Sequence, residues 1–172
     1  MHKTIELSFL PQEQFEIAYS HEVLELNRYR WLALRFLPID PQVSRLIGEI
    51  SMECVGRLCK IEDLARKMEL AACVNGLKLC VPPAAFNHSK QHFFIVDEVM
   101  GRKALETAEE SARETHEFFV WMIKTNATPE LHPLLLSFSH QKKNEYYVLQ
   151  ECRKSWRKHF LHDGKYSSNY KK

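Results

Sequence analysis

The 172 residues suit one domain with a sizeable core, and 45% hydrophobic with 27% charged residues is the balance of an ordinary globular protein rather than a disordered or fibrous one. No uninterrupted apolar run approaches the roughly 20 residues of a membrane span, and residues 1–14 lack the apolar core and small-residue cleavage site of a signal peptide. The formal net charge of +2 hides an asymmetry: from Cys152 onward there are seven Lys/Arg against the single acid Asp163, so the remainder is mildly acidic. The 5 cysteines are odd in number and lack paired spacing, which reads as reduced thiols and a cytoplasmic protein.

In chain order, the pattern predicts a first helix that starts after Pro11, which can occupy its first turn, and ends near Leu37 before Pro38. Phe15, Ala18, Glu22, Leu26, Tyr29 and Ala33 share one face of it, apolar except at Glu22. A carboxylate in the middle of a buried stripe must be neutralised, paired or bound to metal. Asp40 as N-cap and Pro41 at the first helical position start a second helix, which runs to about Lys67 or Glu69. Its inner stripe is Val43, Ile47, Ile50, Cys54, Leu58, Ile61 and Ala65.

The helical period breaks over about residues 70–95, where Asn75-Gly76 and Pro82-Pro83 mark turns; this length suits a crossover along a bundle rather than a hairpin link. A third helix is predicted from about Val96 to Lys124, with Ala104, Ala108, Ala112, Thr115, Phe119 and Met122 on one face. After the break at Asn126, Thr128 and Pro129, a fourth runs from about Leu131 to Phe160. Leu131, Leu135, Phe138, Lys142, Glu145, Leu149, Cys152 and Trp156 fall in line on it, at the intervals of a bundle seam. The expectation is an all-α fold: a four-helix bundle of residues 1–163 with an up-down pair, a long crossover and a down-up pair, then a basic polar tail over 164–172.

Lys142 and Glu145 sit one turn apart at a mid-helix level, as Glu22 does, while helices two and three offer Ser51, Cys54 and Ala112 opposite them. These spacings resemble the rubrerythrin-like branch of the ferritin-like superfamily over about residues 15–150. The odd helices carry Ala18, Glu22 and Tyr29, and Ala108, Ala112 and Phe118-Phe119. The even helices carry Ser51-Met52-Glu53-Cys54 before Leu58, and Lys142-Lys143-Asn144-Glu145 before Leu149, where the family has Glu-x-x-His and then Leu. The resemblance implies a di-metal site built from a Glu on each of two helices and Glu-x-x-His on each of the others. Of those positions only Glu22 keeps the family identity; Ser51, Cys54, Ala112, Lys142 and Glu145 stand at the rest.

An ammonium group at a ligand position repels a divalent cation. The expectation is therefore a core ion cluster of Glu22, Lys142 and Glu145, no cofactor, no catalytic residue, and a binding or interaction module, plausibly a homodimer as paired bundles are among such relatives. The alternative is iron or another divalent metal at an atypical site of Glu22, Cys54 and Glu145, with oxidase- or peroxidase-like chemistry as the resemblance implies. A bland rival has Glu22 reaching to solvent or pairing with Arg28 or Arg30.

Other constellations carry less. Glu49 and Glu53, and Glu110, Glu114 and Glu117 near His116, read as solvated faces. Cys73, Cys80, His88 and His92 lack the spacing of a zinc site. Arg153, Lys154, Arg157 and Lys158, interleaved with Trp156 and Phe160, are a second alternative as a polyanion-binding segment. A solvated helix end, whose cations favour the helix dipole, is the preferred reading, and nucleic acid is not an expected partner.

Overall fold

A computed structural model describes residues 9–74 and 92–163, with side chains to Trp156. Among the described residues there are four α-helices and no strand: α1 (Pro11–Phe36), α2 (Pro41–Lys67), α3 (Glu98–Thr125) and α4 (His132–Asp163). The short 3-10 turns Ala71–Cys73 and Pro129–Leu131 flank them.

Local chemistry accounts for the boundaries. Pro11 occupies the first helical position of α1, where its missing N–H leaves no bond unmade, and the Glu13 carboxylate accepts from the Leu10 N–H at 2.9 Å. The Asp40 carboxylate accepts from the N–H groups of Gln42 (2.9 Å) and Val43 (3.0 Å), satisfying two of the free donors that open α2. Asp97 does the same for α3 through Met100 N at 2.7 Å, so this helix begins at Glu98, slightly later than the periodicity suggests.

Neighbour contacts give the helix directions. Between α1 and α2, Ser44 donates to Ala33 O (2.8 Å) near one end and Tyr19 donates to Glu62 (2.7 Å) near the other, so the two are antiparallel. Trp156 Nε1 donates to Glu98 O (3.3 Å) while Phe119 meets Phe138 edge-on at 5.7 Å, which makes α3 and α4 antiparallel as well. Lys142 lies by Glu22 and Trp156 by Phe36, so α4 runs parallel to α1. The described chain pauses at Val74, after the end of α2 that lies by Tyr19. It resumes at His92 near the opposite end of α1, where Ile95 N donates to Arg35 O at 3.0 Å. The predicted crossover itself falls largely outside the described residues.

The helices pack most closely within each antiparallel pair, and the interior between the pairs is layered. Phe15, Phe119 and Phe138 are fully buried toward one end, and Phe36, Leu105 and Ile95 toward the other. Burying each such side chain contributes about 1.5–3 kcal/mol. Beyond Phe15, the Gln14 amide donates to Thr125 O (3.4 Å) and its oxygen accepts from Thr128 Oγ1 (2.6 Å), closing the polar demands of that end. The middle of the interior is not apolar.

Candidate functional site

Four charged side chains from three helices meet midway along the bundle, and all are buried. Glu22 comes from α1, Arg57 from α2, and Lys142 and Glu145 from α4. Lys142 Nζ lies 3.1 Å from Glu22 Oε1 and 3.3 Å from Glu145 Oε2. Arg57 Nε donates to Glu22 Oε2 at 3.0 Å, and its Nη2 lies 2.6 Å from Glu145 Oε1. Each carboxylate thus faces both cations, and each cation faces both carboxylates. Such alternation is what allows four charges to leave water together, because an unpaired one would be costly.

The thiol of Cys54 completes the group. Arg57 Nη2 donates to its Sγ at 3.1 Å and Lys142 Nζ is 3.9 Å away. Arg57 also donates to Gln141 Oε1 (3.1 Å), and its Nη1 lies 3.8 Å from the exposed Glu53 carboxylate. One guanidinium therefore links α2 to both α1 and α4, a role suited to its planar fork of donors.

Protonation follows from this geometry. Burial opposes the charged form of Lys142, but Glu22 and Glu145 outweigh it and raise its pKa above the usual lysine value. Arg57 behaves the same way. Burial raises the Glu145 carboxyl above the usual carboxylate range despite Lys142 and Arg57. Burial also pushes the Cys54 thiol up to about 12, so it stands as a neutral thiol rather than a thiolate nucleophile or metal ligand.

The sequence-derived set is placed as follows. Glu22, Cys54, Lys142 and Glu145 come together. Ser51 is buried but turned back on its own helix, donating to Gly48 O at 2.6 Å, and Ala112 is a buried methyl on α3. Glu22 pairs with neither Arg28 nor Arg30; Arg28 instead lies 2.6 Å from Glu25. Glu49, Glu110, Glu114 and Glu117 are exposed, with Arg113 pairing Glu110 and Glu117. Cys73 is half-buried and His92 exposed, while Cys80 and His88 lie outside the described residues. Of the basic segment, Arg153 is bonded to Glu109 and Lys154 to Glu151, and the side chains of Arg157 and Lys158 are outside the description.

The residues present do not fit the di-metal centre that the family resemblance implies. Each of Glu22, Cys54 and Glu145 already has a guanidinium and an ammonium against it, at 2.6–3.9 Å, and both groups repel a divalent cation. Among the described residues no three His, Cys, Asp or Glu side chains are grouped so as to hold a metal ion.

Two residues on α1 were not singled out from the sequence, the buried Glu25 and the half-buried His21. Glu25 is as buried as Glu22, and His21 sets its ring against Phe118 with centroids 3.9 Å apart. Burial lowers the His21 pKa to about 4, with Glu22 working against that shift and Lys142 and Arg28 assisting it. The unfolded chain therefore takes up a proton near pH 6.5 that the folded chain refuses until about pH 4, so stability falls as pH drops through this window. The loss by the acid end is about 3 kcal/mol. His21→Phe is expected to lack it: relative to the wild type, its melting temperature should rise progressively between pH 7 and pH 4.5. A constant difference across that range would show that His21 is not the titrating group.

No family model, curated protein or solved structure matches the chain.

Proposed function

We propose that this chain is a ferritin-like bundle of the rubrerythrin-like kind, that a buried ion cluster stands in the place of the di-metal site, and that it serves as a binding or interaction module. The observation that carries the reading is the position of the cluster. Glu22, Cys54, Lys142 and Glu145 fall at four of the positions from which such proteins ligate metal, and Arg57 and Lys142 hold the carboxylates there as ion pairs. The helix directions favour the same architecture. With α1 and α4 running one way and α2 and α3 the other, the link between α2 and α3 has to return along the bundle, which is the ferritin-like connection.

A core so arranged has no unpaired nucleophile and no open coordination position, so it holds helices in register rather than carrying out a reaction. Its contribution is to specificity: the cluster satisfies its charges only when both helix pairs dock at one height, a role buried polar groups can play. Partner recognition then falls to the outer surface, where Leu24 and Leu34 on α1 and Met52 on α2 are exposed. A second copy of the chain is the first partner to seek, by light scattering of the purified protein.

Elemental analysis of protein expressed with added iron, manganese and zinc, and purified without chelators, tests the reading. Substoichiometric metal is expected in the wild type and in Glu22→Gln alike. Near-stoichiometric metal that is lost in Glu22→Gln would overturn it in favour of an oxidase- or peroxidase-like metalloprotein.

A further inference from the structure

The ion cluster leaves part of the buried polar layer unused. Glu25 and Tyr29 lie one turn apart on α1, on the side of the stripe next to Glu22, and both are fully buried. Among the described residues, Glu25 Oε2 takes no hydrogen bond and the Tyr29 hydroxyl makes none. Arg28, whose side chain is 42% exposed, pairs with Glu25 Oε1 at 2.6 Å and leaves Oε2 unmet. Lys142 and Arg57 are already committed to Glu22 and Glu145. Across the interior, α3 contributes the short side chains of Ala108 and Ala112, both buried.

Buried polar groups in folded proteins find partners, and those that no protein group satisfies are the ones that hold small internal ligands. The two groups here set the chemistry of such a ligand. A carboxylate only accepts, whereas a tyrosine hydroxyl both accepts and donates, so the guest must donate at least one hydrogen bond. An anion is disfavoured by the Glu25 carboxylate, and the full burial of both groups calls for a small guest.

We propose that the Glu25 carboxylate and the Tyr29 hydroxyl form an internal binding site for a small hydrogen-bond donor of water or ammonium size. The direction of the protonation shifts agrees with it. Burial raises the Glu25 carboxyl against Lys142 and Arg28, and burial followed by the Glu25 charge raises the Tyr29 phenol, as expected of groups held away from bulk water. This inference stands whether or not the fold is ferritin-like, because it uses only α1 and what faces it.

The test uses the full chain and two probes that distinguish the guest. Oxygen-17 magnetic relaxation dispersion counts long-lived internal waters, and thermal unfolding in ammonium chloride against sodium chloride, at equal ionic strength, reads ammonium binding. A long-lived water in the wild type that disappears in Tyr29→Phe and Glu25→Gln identifies water. A melting temperature raised by ammonium over sodium in the wild type, with that difference lost in the same variants, identifies ammonium. If the wild type shows neither signal, or if both variants keep whichever one it shows, the site does not exist. The wild-type measurements decide against the proposal on their own should a variant fail to fold.

Discussion

Arg57→Met is expected to lower the unfolding free energy by about 3–5 kcal/mol, the usual cost of removing one member of a buried ion group. Arg57 is the only fully buried arginine among the described residues, and it contacts Glu22, Glu145, Cys54 and Gln141 at 2.6–3.1 Å. Removing it leaves two buried carboxylates with Lys142 alone. At about 2–4 °C per kcal/mol for a chain of this size, the melting temperature should fall by roughly 6–20 °C. Lys142→Met should behave similarly, for the same reason. Arg66→Met is the control: Arg66 pairs with Asp63 on the surface, at 69% exposure, and its loss should stay within about 0.5 kcal/mol.

The loss should shrink when the whole layer is replaced. Burying four charges costs desolvation that their mutual attraction only partly repays, so a well-packed apolar layer of Glu22→Leu, Arg57→Met, Lys142→Met and Glu145→Leu is expected to recover most of the single-variant loss. Chemical denaturation of the set checks this. An Arg57→Met variant that melts with the wild type would remove the cluster as the element holding the helix pairs together.

The second large effect belongs to Trp156, which fastens the other end of the interior. Its indole meets Phe36 edge-on at 5.3 Å, donates to Glu98 O at 3.3 Å, and lies over Gly101. Trp156→Ala is expected to cost about 3–5 kcal/mol through the cavity it leaves. A β-carbon on Gly101 would press into that ring, with the indole Cε2 only 2.8 Å away, so Gly101→Ala should cost about 1–3 kcal/mol by overpacking. The two are coupled. In a Trp156→Ala background the obstacle is gone, and Gly101→Ala should instead stabilise α3 by up to about 1 kcal/mol from helix propensity. A double-mutant cycle by equilibrium denaturation reads this reversal directly; additive losses would mean that the ring does not rest on Gly101.

Helical periodicity, proline breaks and the Asp40 cap determined, from the sequence by itself, that the described chain folds into four helices, and close to where each begins and ends. They also determined that Glu22, Cys54, Lys142 and Glu145 lie on inward faces, because an apolar stripe interrupted by a charged residue is visible at the spacing of a helix. Only the tertiary structure decided which charges meet. Arg57 sits on the flank of the α2 stripe, one residue before Leu58, and was not singled out from the sequence. Its side chain is long enough to turn inward from that flank once α1 and α4 supply carboxylates. Glu25 lies on the flank of α1 towards His21, whose ring meets Phe118 of α3, and it is fully buried. The period of a helix reports the face a residue stands on; whether a flanking charge is drawn inward depends on partners from other helices, which no local pattern contains.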